Sequence, residues 1–82
     1  MEKLKVIIYS TLACVYCKMA KDFFKKHNLV YEDFDVAVDL KAREEMVKKS
    51  GQVGVPVIDV NGEIFVGFEQ RGLEKALGIG KS

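Results

Sequence analysis

Two cysteines separated by two residues, Cys14 and Cys17, lie directly after a short apolar run and directly before a stretch with helical spacing. If a helix begins near Cys14, residues three apart share one face, with Cβ atoms roughly 5–6 Å apart. This separation is compatible with the Cα distance of about 4.4–6.8 Å that a disulfide tolerates. The context therefore predicts a strand, a redox-active cysteine pair and a helix, in that order.

The two cysteines are predicted to have different roles. A thiol at a helix N-terminus faces unpaired backbone N–H groups and the positive end of the helix dipole, which favour the nucleophilic thiolate. Cys14 occupies that position and is the candidate nucleophile, whereas Cys17 faces inward and is the candidate resolving thiol. We expect dithiol–disulfide exchange, in which a Cys14–Cys17 bond forms and is reduced again.

Length and charge limit the other classes of function. A chain of 82 residues has room for one domain, spanning residues 1–82, and a large substrate cavity is not expected. With 13 basic and 12 acidic residues, the chain has no general attraction for nucleic acid or an anionic membrane. No apolar stretch approaches the ~20 residues that cross a bilayer. We expect a cytoplasmic monomer in a reducing compartment, where a cysteine pair is more often catalytic or metal-binding than structural.

The order of the predicted elements indicates an α/β fold. Branched apolar runs predict strands, and apolar residues three or four apart predict helices. The pattern predicts strand 3–9, helix 14–27, strand 30–36 near a sheet edge, helix 39–50, strand 55–60, strand 63–66 and helix 69–77. This β-α-β-α-β-β-α order predicts a mixed four-stranded sheet flanked by three helices.

Several residues mark the ends of these elements. Asp39 is a predicted N-cap, and Asn28 and Gly51 are predicted helix stops. The pair Asn61-Gly62 predicts a type I′ hairpin turn, because both residues accept positive φ angles. The last helix is expected to turn three apolar residues inward: Leu73, Ala76 and Leu77.

Three motifs carry a family resemblance. Cys14-Val15-Tyr16-Cys17 follows the first strand, the sequence Gly-Val-Pro-Val-Ile at 54–58 leads into the hairpin, and Val66-Gly67-Phe68 precedes the last helix. In this order and spacing they resemble the glutaredoxins and glutaredoxin-like redoxins of the thioredoxin-fold superfamily.

The resemblance implies a thioredoxin-like fold and an enzyme that reduces protein or small-molecule disulfides without a tightly bound cofactor. It implies glutathione, or thioredoxin reductase with NADPH, as reductant, and disulfide-containing proteins or glutathione-linked molecules as substrates. It also implies a cis peptide between Val55 and Pro56 that faces the cysteines. The backbone of Val55 would then pair with an extended thiol substrate as an added strand.

The resemblance also implies candidate residues around this groove. Tyr16 either covers one side of the site or is an inert surface residue, and Phe68 either forms a wall beside Pro56 or packs on the sheet. Gly67 belongs to the region that cradles glutathione in the family. The pattern departs from glutathione-using members because Thr11 and Leu12 stand where a basic residue is usual, and Phe-Glu follows Gly67. The sequence therefore leaves the electron donor open.

Other charged residues have structural interpretations. Lys18 and Lys21 are read as solvated surface lysines, His27 as a cation at a helix C-terminus, and Asp33 and Asp35 as edge-strand charges. The pairs explained by i, i+4 ion pairing on the second helix are Glu44–Lys48 and Glu45–Lys49.

Three alternatives to the oxidoreductase remain. Two thiolates per chain would make a metal or iron–sulfur carrier only as a dimer or with an external thiol, since closed thiolate sites generally use four ligands. A non-catalytic module would use the Pro56 groove to hold extended peptides. A structural disulfide between Cys14 and Cys17 would resist cytosolic reductants.

Overall fold

The computed structural model describes residues 5–79, which form four strands and three helices in the predicted order. None of these helices combines the length and apolar character needed to cross a membrane. The elements are β1 (Val6–Ser10), α1 (Val15–Lys26), β2 (Tyr31–Asp35), α2 (Leu40–Ser50), β3 (Val57–Val60), β4 (Glu63–Val66) and α3 (Gln70–Leu77).

The four strands form one mixed sheet in the order β2-β1-β3-β4. β1 runs parallel to β2, with Val6 opposite Tyr31, and antiparallel to β3, with Ile8 opposite Ile58. β4 pairs antiparallel with β3. The mixed sheet and the edge position of β2 are therefore confirmed, and the C-terminal end of β1 leads directly into the cysteine segment.

Side chains of β1 alternate between two hydrophobic cores, one on each face of the sheet. Ile8 belongs to the core under α1 and α3, whereas Tyr9 belongs to the core under α2, and both are fully buried. Such alternation follows from the two-residue period of a strand. Helix α3 buries Leu73 and Leu77 against the first core, and Ala76 packs against it while partly exposed.

The predicted turn and cap residues adopt the expected conformations. Asn61 and Gly62 have φ angles of 51° and 95°, which the type I′ turn requires. Asn28 (φ 58°) and Gly51 (φ 75°) end α1 and α2 in the left-handed region. At the start of α2, Asp39 Oδ1 accepts a hydrogen bond of 3.0 Å from the backbone N–H of Ala42.

Three of the four strands differ in their bounds from the sequence prediction, and the one predicted over 30–36 spans Tyr31–Asp35. The predicted strand 3–9 begins at Val6 and continues to Ser10, while positions 3 and 4 of that prediction lie outside the described residues. The strand predicted over 55–60 begins at Val57. Pro56 has no N–H to donate to a ladder, so regular pairing starts only after it.

The predicted ion pairing on α2 is wrong for Glu45 and Lys49. Lys49 Nζ lies 2.8 Å from both Asp59 Oδ2 and the Tyr9 hydroxyl, and that hydroxyl donates to Glu45 Oε1 at 2.9 Å. Burial alone would lower the pKa of Lys49, but the hydrogen bonds to Asp59 and Tyr9 outweigh it and raise the pKa. A chain of polar contacts therefore links α2 to β1 and β3, which spacing along one helix does not reveal.

Candidate active site

Cys14 occupies the N-cap of α1, at the end of the short segment that follows β1. Its backbone is extended, with φ −92° and ψ 115°, and its Sγ accepts a hydrogen bond of 3.1 Å from the backbone N–H of Cys17. The side chain is half-exposed. A sulfur at this position therefore receives a backbone donor and the positive end of the helix dipole while it remains accessible.

Cys17 lies one turn further along α1 and is fully buried. Burial is the largest cause that raises the pKa of its thiol, to about 12, and its hydrogen bond with Cys14 adds to the effect. A backbone hydrogen bond from Thr11 and the charge of Lys21 act in the opposite direction. The two thiols are both free and stand in different environments, one accessible and one enclosed.

The peptide bond between Val55 and Pro56 is cis, and Val55 lies next to Cys14. Pro56 is buried, Val55 is half-buried, and the Val55 carbonyl oxygen lies 4.0 Å from Cys14 Sγ. Within the described part of the chain, no other backbone group bonds the N–H or carbonyl of Val55. Among the described residues the Val55 N–H therefore has no backbone partner, and the Val55 carbonyl accepts only from the Cys14 thiol.

The residues that surround Cys14 on its own segment are exposed and mostly apolar. Leu12 is 90% exposed, Val15 69% and Tyr16 62%. Tyr16 is thus exposed to solvent, which agrees with both interpretations of this residue, and its role in the groove stays a prediction. Sequence reasoning did not single out Leu12 or Val15 as site residues, although an apolar side chain on each side of a cysteine at a helix start is a usable signal.

Gly67 lies next to Pro56, and Phe68 follows it in the chain. Gly67 donates its N–H to the Pro56 carbonyl at 2.8 Å and has a φ of 84°. The Phe68 ring contacts the Phe23 ring edge-to-face, with centroids 5.6 Å apart. Phe68 therefore packs on α1, and a role for it in the groove stays a prediction.

Lys21 is not a free surface lysine, contrary to the sequence interpretation. Its Nζ lies 2.9 Å from Asp33 Oδ2, and the buried Ser10 hydroxyl donates to Asp33 Oδ1 at 2.7 Å. The hydrogen bond that Lys21 donates to Asp33 raises the pKa of Lys21. Asp33 is likewise more than an edge charge, because it ties β1, β2 and α1 together beside Cys17.

His27 lies at the C-cap of α1 with its ring against Phe23, at a centroid distance of 4.7 Å, so it is at the far end of the helix from the cysteines. Within residues 5–79 no three His, Cys, Asp or Glu side chains group in a way that could hold a metal ion.

Comparison with known proteins agrees with this geometry. Residues 6–66 match the glutaredoxin family model. An uncharacterized glutaredoxin-like 8.6 kDa protein in the rubredoxin operon of Clostridium pasteurianum is 46% identical over 70 residues, which cover 85% of this chain and 93% of that protein. Glutaredoxin 3 of Escherichia coli is 31% identical over 64 residues, or 78% of this chain and 77% of that protein.

Solved structures give the same result for the fold. A point mutant of the thioredoxin-like protein BC3987 superposes with a TM-score of 0.84 and 33% identity, over 96% of this chain and 99% of that one. The thioredoxin-like arrangement expected from the sequence is thus confirmed. The chain belongs to the glutaredoxin family.

Proposed function

We propose that this chain is a dithiol–disulfide oxidoreductase in which Cys14 is the nucleophile and Cys17 the resolving thiol. The observation that carries the proposal is the asymmetry of the pair. Cys14 is half-exposed and accepts a backbone N–H at a helix start, whereas Cys17 is fully buried and its pKa is raised to about 12. An accessible sulfur that accepts a backbone N–H suits the attack on a substrate, and an enclosed one suits an internal second step.

In the first step the Cys14 thiolate attacks one sulfur of a substrate disulfide. The substrate S–S bond breaks, a Cys14–substrate disulfide forms, and the departing substrate sulfur leaves as a thiolate that takes a proton from water. The backbone N–H of Cys17, 3.1 Å from Cys14 Sγ, holds the attacking sulfur in place.

In the second step Cys17 loses its proton and attacks Cys14 Sγ. The Cys14–substrate bond breaks, the second substrate sulfur leaves as a thiolate, and the two electrons lost by the protein reduce the substrate. Burial is the largest cause that raises the pKa of Cys17, and the backbone hydrogen bond from Thr11 and the charge of Lys21 favour its thiolate.

The substrate would bind along the backbone of Val55. Its N–H and carbonyl have no backbone partner among residues 5–79, and its carbonyl lies 4.0 Å from Cys14 Sγ. An extended segment that carries the disulfide can pair there as an added strand. Tyr16 would offer an aromatic surface on one side, and Gly67 and Phe68 would border the groove on the other.

The proposal includes protein disulfides or glutathione-linked molecules as substrates in a reducing, cytoplasmic compartment. The electron donor is glutathione or thioredoxin reductase with NADPH. Thr11 and Leu12 supply no positive charge for the carboxylates of glutathione, and Leu12, Val15 and Tyr16 form an apolar rim around Cys14. The rim favours contact with a protein, so we expect the reductase to be the faster donor.

The test is the rate at which the oxidised Cys14–Cys17 form is reduced by glutathione and, separately, by thioredoxin reductase with NADPH. Free thiols are counted over time, and Cys17→Ser serves as a control that cannot form the internal bond. Reduction by the reductase ahead of glutathione supports the full proposal, and the reverse order overturns the expected donor. Reduction by neither donor would overturn the oxidoreductase itself.

A further inference from the structure

Side chain–backbone hydrogen bonds hold the segment between α2 and Pro56. Ser50 Oγ lies 2.7 Å from the Met46 carbonyl and 3.0 Å from the Gln52 carbonyl, and it accepts from the Gln52 N–H at 3.3 Å. Gln52 in turn bonds both backbone groups of Gly54: its Oε1 accepts from the Gly54 N–H at 2.9 Å, and its Nε2 donates to the Gly54 carbonyl at 3.0 Å. Hydrogen bonds through Ser50 and Gln52 thereby connect the last turn of α2 to Gly54, the residue before Val55.

The bond to the Gly54 carbonyl fixes the peptide unit that contains the N–H of Val55. The carbonyl of one residue and the N–H of the next lie in one plane and, in a trans peptide, point in opposite directions. Since Gln52 Nε2 holds the Gly54 carbonyl, the Val55 N–H must point away from Gln52. This is the N–H that has no backbone partner within residues 5–79.

We propose that Gln52 is a positioning residue that orients the Val55 N–H for pairing with the substrate backbone. This inference rests on the proposed exchange reaction but concerns substrate binding and not the cysteine chemistry. Without Gln52 the Gly54–Val55 peptide would rotate among several orientations, and binding would have to select one of them. Holding it in advance reduces this ordering cost.

Gly54 supports the same arrangement from the other side. A Cβ placed on Gly54 would lie 2.8 Å from Gln52 Oε1, which is too close, so an alanine there would displace the Gln52 amide. The Gly54→Ala change therefore shifts the Gln52 amide and weakens the two bonds without removing Gln52. It gives an independent second variant, and its backbone φ is not in the left-handed region.

The test compares two disulfide substrates. One is a short extended peptide that carries a disulfide, and the other is 2-hydroxyethyl disulfide, which has no peptide group. The reduced protein is mixed with increasing substrate, and the half-saturation concentration and the limiting rate are measured. We expect Gln52→Ala and Gly54→Ala to raise the half-saturation concentration for the peptide about threefold to tenfold, the range for loss of a typical hydrogen bond. The limiting rate, the reaction with 2-hydroxyethyl disulfide and the alkylation of Cys14 by iodoacetamide should stay unchanged.

Two further variants make the comparison specific. Val53→Ala alters an exposed neighbour in the same segment and should behave as the native protein. Gln52→Glu keeps an acceptor for the Gly54 N–H but has no donor for the Gly54 carbonyl, so it should lose peptide binding as Gln52→Ala does. Native-like half-saturation in both Gln52→Ala and Gly54→Ala would overturn the inference. If the native protein itself reduced neither disulfide, the proposed function would fail instead.

Discussion

Helices α1 and α2 begin with the same geometry but with different atoms. The N-cap of α1 is Cys14, whose Sγ accepts the N–H of Cys17 at 3.1 Å, and the N-cap of α2 is Asp39, whose Oδ1 accepts the N–H of Ala42 at 3.0 Å. In both helices the donor, three residues after the cap, is buried.

The difference between the two starts lies in the capping atom and its surroundings. A carboxylate oxygen at an N-cap completes the helix and reacts with nothing. A sulfur in the same position is a nucleophile, and Cys14 also has Val55 beside it and a second thiol, Cys17, three residues on. The same N-cap hydrogen bond thus stabilises α2 and, on our proposal, holds a reactive sulfur in α1.

The largest expected effect comes from Cys14→Ser. Disulfide exchange should fall to background, because a hydroxyl at this position is not ionised at neutral pH and cannot replace the thiolate. Serine is among the preferred N-cap residues, so the free energy of unfolding should change by no more than about 0.5 kcal/mol. A turnover assay and urea denaturation of the same preparation check the loss of exchange and the unchanged free energy of unfolding. Retained turnover would contradict the assignment of Cys14.

The next effect is a pH dependence that separates the two helix starts. The folded pKa of Cys17 is raised from 9.0 to about 12, chiefly by burial, so the protonated thiol favours the folded state. This contribution is complete below about pH 9 and is lost as the pH rises toward about 12. The reduced native protein should therefore lose stability over this range more steeply than Cys17→Ala, in which α1 has an alanine where α2 has Ala42.

Urea denaturation at a series of pH values above 9 gives the free energy of unfolding of each protein, and its slope against pH is then compared between the two. Tyr9 and Lys49 also have raised pKa values, but Cys17 is not among the causes, so they contribute equally to each slope. The pKa of Lys21 is raised chiefly by its hydrogen bond to Asp33, which both proteins keep, and least by the charge of Cys17. Parallel slopes for native protein and Cys17→Ala would show that the buried thiol does not titrate as described.

The smallest effect is expected from Asp39→Ala. Loss of an N-cap side chain typically destabilises a protein by ~1 kcal/mol, in a range of about 0.5–2 kcal/mol. Disulfide exchange at a temperature where the variant is folded should be unchanged, because Asp39 caps α2 and not α1. Thermal unfolding and a turnover assay test these two expectations. A loss of turnover without a loss of stability would contradict the purely structural role of the α2 N-cap.

Local sequence signals predicted the framework well. The Cys14–Cys17 spacing, the Asp39 cap and the Asn61-Gly62 turn depend on conformations that a few neighbouring residues determine. The alternation of apolar residues predicted the elements, and the family motifs supplied the Val55–Pro56 isomer that the residues alone could not.

Contacts between distant elements were not predictable in the same way. Lys21 was read as solvated, yet it pairs with Asp33, twelve residues away on β2. Lys49 was assigned to Glu45 but contacts Asp59, because the register of the sheet brings that carboxylate beneath α2. Such pairings depend on how helices lie across the sheet, and spacing within one element carries no information on it.

Cys17→Ser mixed with a short peptide disulfide isolates the first step of the exchange. Intact mass and peptide mapping then report whether an adduct forms and which residue carries it. The account predicts a persistent mixed disulfide at Cys14, because the first step proceeds and the resolving thiol is absent. Absence of any Cys14 adduct while the native protein reduces the same peptide would contradict it.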